Sequence, residues 1–268
     1  MIGFAEGFSV WTVSTLVPAL LGLVATTLVG KRVAGAYISA FAFGIFLLFF
    51  VDTIGGAANL DVNSGFGGGL AQLGVVLFFL VGTLFFFWVD RGRTIFSPQI
   101  SIGKYGMAIP LIVALAIGIH GLGEGAAFGG TAQSTTSTDL LEAFGGLSAG
   151  IAYVLHKGLE PMMIGACYSV YVKGQFKKAR SWIKEVGLLG IIFTIPSLIG
   201  AATGYFIGYD TTYFFALGTG ACIYAAIRLV GPFFDNPEGT RSNQAVKLAA
   251  CILMGFITIY FAALFHSD

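Results

Sequence analysis

FSVWTVSTLVPALLGLVATTLVGKR, residues 8–32, is a long apolar run closed by the cationic pair Lys31-Arg32. About 20 such residues, rising 1.5 Å each as an α-helix, span a hydrocarbon core about 30 Å thick. Within lipid every backbone N–H and C=O must find a partner inside the protein, which leaves helices or closed barrels. Seven further apolar runs follow between clusters of charged and turn residues. The eight expected spans are Phe8 to Gly30, Ala34 to Ile54, Gly69 to Val89, Met107 to Phe128, Gly145 to Val170, Val186 to Ile207, Tyr213 to Val230 and Ala245 to Phe265. Ten-residue alternating segments of the barrel type are absent. The fold expected is an all-α polytopic membrane protein, with residues 1–268 forming a single transmembrane domain.

Composition agrees. The chain has 56% hydrophobic and 10% charged residues, where an ordinary soluble domain carries about 25% charge. Its net charge is +1 with no basic block, so the expected partner is the lipid bilayer and not nucleic acid. Cys167, Cys222 and Cys251 lie in apolar stretches without metal-binding spacing and are read as small core residues. The start, MIGFAEGFSV, lacks a basic segment, and the first span ends at Lys31-Arg32 with no small-residue cleavage site, so no cleaved signal peptide is expected.

Charge placement orients the spans. Thirteen of the fourteen Lys and Arg residues fall in or beside the connections after spans one, three, five and seven; the other connections and both tails have none. By the positive-inside rule those four connections are cytoplasmic and both termini face outside. A cell (plasma) membrane is the expected location.

Asp52, Glu124, Lys157 and Glu160 remain within the spans. An ionisable group at that depth costs several kcal/mol unless it finds a partner or a cavity, which makes each a functional candidate. Span four contains IGIHGLGEGAAFG (117–129) and span five YVLHKGLEPMMIG (153–165). His120 and Glu124, like His156 and Glu160, are therefore four residues apart, on one helical face. Two such faces on antiparallel neighbours would bring two imidazoles and two carboxylates together. That donor set suits a borderline divalent ion: Zn²⁺, Fe²⁺, Mn²⁺ or Cd²⁺. Both histidines must be neutral to bind, so acid should weaken affinity. Pro161 removes one helical hydrogen bond beside the site, so a kink is expected there. Asp52, on the outer half of span two, could guide an ion or add a ligand. His266 is read as a surface residue, and the neutral-to-acidic TAQSTTSTD (131–139) as an outer loop that suits cations.

HGLGEG (120–125) and HKGLEP (156–161) resemble the span-four and span-five motifs of the ZIP (Zrt/Irt-like) family of divalent metal transporters, and IPSLIGAATG (195–204) is similar to its sixth span. The resemblance covers nearly the whole chain. It implies eight spans in a 3+2+3 bundle, ion uptake into the cytosol, no organic cofactor, and His120, Glu124, His156 and Glu160 as ligands of the transported ion. Two departures stand out. Gly121, Lys157 and Ile195 occupy positions that hold second-site ligands in many members, and Phe46 replaces a span-two ligand. A single metal site is expected, with Lys157 placing an ammonium where a second dication would sit, snorkelling towards the interface, or pairing with Glu160 at i,i+3. Two alternatives remain at this stage: an intramembrane metal-dependent hydrolase, and a ZIP-like protein that binds metal with impaired transport. A third, haem carried by His120 and His156, leaves the paired glutamates unexplained. Faces rich in small residues are compatible with a homodimer as well as with packing inside one chain.

Overall fold

The computed structural model describes residues 2–58, 69–90, 106–172, 179–208, 211–233 and 242–264. They form α1 (Phe4–Val29), α2 (Gly35–Ala58), α3 (Gly69–Val89), α4 (Ala108–Ser134), α5 (Leu147–Tyr171), α6 (Ala179–Phe206), α7 (Thr212–Val230) and α8 (Ser242–Ala263), with short 3-10 turns at Leu140–Phe144 and Gly231–Phe233. No strand occurs among the described residues. Five segments are long and apolar enough to cross a membrane: α1, α4, most of α6, α7 with its following turn, and α8. Shorter apolar stretches lie in α2 and α3. Val13, Leu21, Val51, Leu84, Ile199 and Phe261 are among many large apolar side chains left exposed around the bundle, a surface suited to lipid and not to water. The protein is an all-α, membrane-embedded chain.

Each expected span coincides with one helix, but several helices run on past the apolar residues. α1 starts at Phe4, α4 continues to Ser134 and α6 starts at Ala179. Helical hydrogen bonding does not require apolar side chains, so a polar end extends the helix unseen by hydropathy. As a consequence the segment 131–139 is part helix, not all loop; its last residue, Asp139, caps the next 3-10 turn by accepting from the Leu141 N–H at 3.0 Å. Pro161 lies inside α5, which is not interrupted there. Of the cysteines, Cys167 and Cys222 are buried as expected, whereas Cys251 is only half-buried.

Glycine decides which helices meet backbone to backbone. A Cβ on Gly125 or Gly129 of α4 would strike the α6 backbone at Ser197 or Ala201, and one on Gly200 or Gly204 of α6 would strike α4 at Leu122 or Ala126. The same reciprocity joins α2 to α8 through Gly44 and Gly255 and α3 to α7 through Gly82 and Gly220, whereas α1 meets α5 through Gly22 on the Gly158 backbone and Gly165 on the Thr26 side chain. Close approach of this kind maximises packing where lipid supplies no hydrophobic drive between helices. The small-residue faces at these seams are thus used within one chain.

The contacts sort the helices into two groups, α1/α4/α5/α6 and α2/α3/α7/α8, joined chiefly by α4 on α7 and α2 on α5. Contact positions also reveal direction. Trp11, Gly22 and Thr26 of α1 meet Tyr153, Gly158 and Gly165 of α5 in rising order, so those helices are parallel. On α4 and α7 the order reverses, Gly123 meeting Phe215 and His120 meeting Gly218.

Candidate metal centre

α4 and α5 carry the polar groups to the middle of the bundle. On α4, His120 Nε2 stands 3.4 Å from Glu124 Oε1, one helical turn on. On α5, His156 Nε2 stands 3.8 Å from Glu160 Oε1 in the same relation. His120, His156, Lys157 and Glu160 are buried, while Glu124 keeps 19% exposure and so faces the more open side.

His120, Glu124 and Glu160 each offer a donor atom, and the three atoms lie within 4.8 Å of one another. This confined set of one imidazole and two carboxylates could hold a divalent ion after a small contraction, since such metals sit about 2.0–2.2 Å from N and O ligands. Nδ1 of His120 is buried without a hydrogen-bond partner among the described residues. His156 is not a member of this tight set; it flanks it through Glu160. Asp52 belongs to α2, but its side chain lies outside the described residues, as does His266.

Lys157 occupies the centre of the arrangement. Its Nζ donates to Glu160 Oε1 at 3.0 Å and Oε2 at 2.8 Å, and also reaches Glu124 Oε2 across the α4–α5 interface. The i,i+3 pair, one of the alternatives read from sequence, is present, and the bridge to Glu124 is added to it. Hydrogen-bonded to Glu160 and ion-paired with Glu124, the ammonium offsets two carboxylates whose removal from water would otherwise be costly.

Aromatic side chains enclose these groups, a wall not anticipated from sequence. The Phe49 ring meets His120 edge-on at 4.7 Å and lies 6.2 Å from His156, while Phe215 is 5.7 Å from His120. Phe46 is buried one turn away, packed against Phe50. Towards the N-terminal end of α1, Trp11 stacks on Phe128 and Tyr153, each at 4.4 Å, and its Nε1 donates to Ser197 Oγ at 3.0 Å. Tyr153 shares a 2.6 Å hydrogen bond with Thr15 and stands one turn from Lys157. These residues plug that end of the site.

A second charged pair was not anticipated. Arg228, counted from sequence with the connection after span seven, is buried in the last turn of α7 and paired with Asp90 at the end of α3. Its Nε donates to Tyr224 Oη at 3.1 Å, and its carbonyl accepts from Tyr171 Oη of α5 at 2.9 Å.

Comparison with models of known protein families gives no match, and comparison with curated proteins gives none.

Proposed function

We propose that the protein carries a divalent metal ion, Zn²⁺ first and Fe²⁺, Mn²⁺ or Cd²⁺ as related cargoes, across a cell membrane into the cytoplasm. The observation that carries this reading is the convergence of His120, Glu124 and Glu160 from two helices within 4.8 Å, deep in a membrane-embedded bundle. The donor types suit these ions, and a dication offsets the charge of buried Glu160 and half-buried Glu124. The paired HxxxE motifs at 120–124 and 156–160 support assignment to the ZIP-like carriers, with His156 as a flanking ligand. Sorting of the helices into two groups, with the cluster on the α4 and α5 faces that meet α7 and α2, suits a carrier whose groups move against each other around a central site. Parallel α1/α5 and antiparallel α4/α7 are in keeping with alternating spans and, together with the basic connections, with both termini outside.

In the proposed cycle the ion approaches by the exposed edge of Glu124, loses water, binds His120, Glu124 and Glu160, and leaves inward once the two groups shift. Influx of Zn²⁺ into vesicles containing the purified protein tests this. The wild type should show saturable uptake, and His120→Ala or Glu160→Ala should abolish it; uptake at the wild-type rate in either variant would remove the site assignment. A second reading, a protein that binds metal without carrying it, draws on Lys157 sitting between the carboxylates. Saturable Zn²⁺ binding with no influx would select it.

A further inference from the structure

We infer that Lys157 is a built-in counter-cation that the transported ion displaces, and that it sets affinity and return of the ion-free carrier without being a ligand. The inference rests on the transport reading above. Both oxygens of Glu160 are engaged by the ammonium, and Glu124 divides its pair, Oε1 towards His120 and Oε2 towards Lys157. Of the four carboxylate oxygens open to an ion, the lysine thus holds three, both of Glu160 and one of Glu124. A dication bound among them would meet a positive charge within a few ångströms, in surroundings too apolar to screen it. The ammonium therefore has to leave at least one carboxylate as the ion arrives. Surfaces to receive it are at hand, because the rings of Tyr153 and Phe193 each lie 5.6 Å from Nζ.

The reverse step explains what the residue is for. Without Lys157, releasing the ion would leave buried Glu160 and half-buried Glu124 without this cation, a state whose passage through the bundle is costly. With the lysine swung back, the carboxylates are paired again and the ion-free protein can reset. Lys157 thus weakens binding and speeds return.

Lys157→Met keeps length and removes the charge. In vesicles, its Zn²⁺ Kd and KM should fall about tenfold and its net influx kcat should fall about tenfold, as the loss of one opposing charge would produce. Exchange against Zn²⁺ preloaded inside, which bypasses the ion-free return, should restore turnover to the wild-type range. Kd, KM and net influx all unchanged would overturn the inference, as would slow net influx that exchange fails to rescue. If the variant does not fold, a structure of the wild type with Cd²⁺ bound decides: Nζ should have left Glu124 or Glu160, and contact retained with both would overturn it. A wild type with neither saturable binding nor influx removes the transport reading itself, and this inference with it. Wild-type uptake with an indifferent Lys157→Met removes this inference alone.

Discussion

Gly218 of α7 lies directly on His120 of α4: a Cβ built at Gly218 would stand 2.6 Å from the His120 Cα. On the α6 side, Gly118 is closed against Phe193 in the same way. The imidazole is therefore held at a backbone fixed from two sides. Gly218→Ala should push α7 off α4 at the level of the site, at about 1–3 kcal/mol for overpacking. Lower thermal stability in detergent and weaker Zn²⁺ binding are expected. Unchanged values for both would show that the seam can give.

The two histidines should differ. His120 belongs to the three-donor set and His156 flanks it. His120→Ala should therefore lower Zn²⁺ affinity at least about 100-fold, and His156→Ala about tenfold, the scale typical of a group that supports ligands. Titration calorimetry on the two variants separates them; equal losses would mean that His156 swings fully into the coordination sphere.

The Asp90–Arg228 pair is a structural clamp at the opposite end of the bundle from Trp11. Arg228→Met removes the cation paired with buried Asp90 and should destabilise by about 3–5 kcal/mol. The double variant Asp90→Leu/Arg228→Met should lose less than the sum of the single changes. Unfolding measurements around this cycle give the coupling, and strict additivity would exclude a clamp.

Trp11 serves as a seal. Trp11→Ala removes the stacking on Phe128, Phe144 and Tyr153 and opens a cavity, at about 3–5 kcal/mol for loss of a large core aromatic. Trp11→Phe keeps the stack and loses only the bond to Ser197, about 1 kcal/mol. Chelator-induced loss of bound Zn²⁺ should be faster in Trp11→Ala than in Trp11→Phe; matching rates would show that ions do not leave by this end.

How much was readable beforehand follows from physical range. The eight helices among the described residues were legible because lipid imposes long apolar runs on a membrane-embedded helix. The helix-face pairing of His120 with Glu124 and of His156 with Glu160 was legible because four residues make about one turn. Contacts between helices leave no such local mark. Nothing in the string places Phe49 or Phe215 on His120, because those residues meet only after α2 and α7 pack on the centre. Arg228 looked like a loop cation because it stands three residues before a Gly-Pro step, and its partner Asp90 is far away in sequence. Lys157 was half legible: its bond to Glu160 is local, whereas its bond to Glu124 needs the register of α4 against α5.

α5 has 25 residues yet is not among the segments apolar enough to cross a membrane on composition alone. It is the helix that bears His156, Lys157 and Glu160. During synthesis such a segment is a poor candidate for independent partitioning from the translocon into lipid. Its own Lys157–Glu160 pair makes it neutral overall before Glu124 is met, and its glycine-seamed neighbour α1 is made well ahead of it. Integration of α5 is thus expected to depend on helices already delivered: a glycosylation-tagged α5 expressed alone should insert inefficiently, and the same tag behind α1–α4 should insert well. The polar centre would then be a debt of biogenesis as much as a feature of the folded state, met by the order in which the chain emerges.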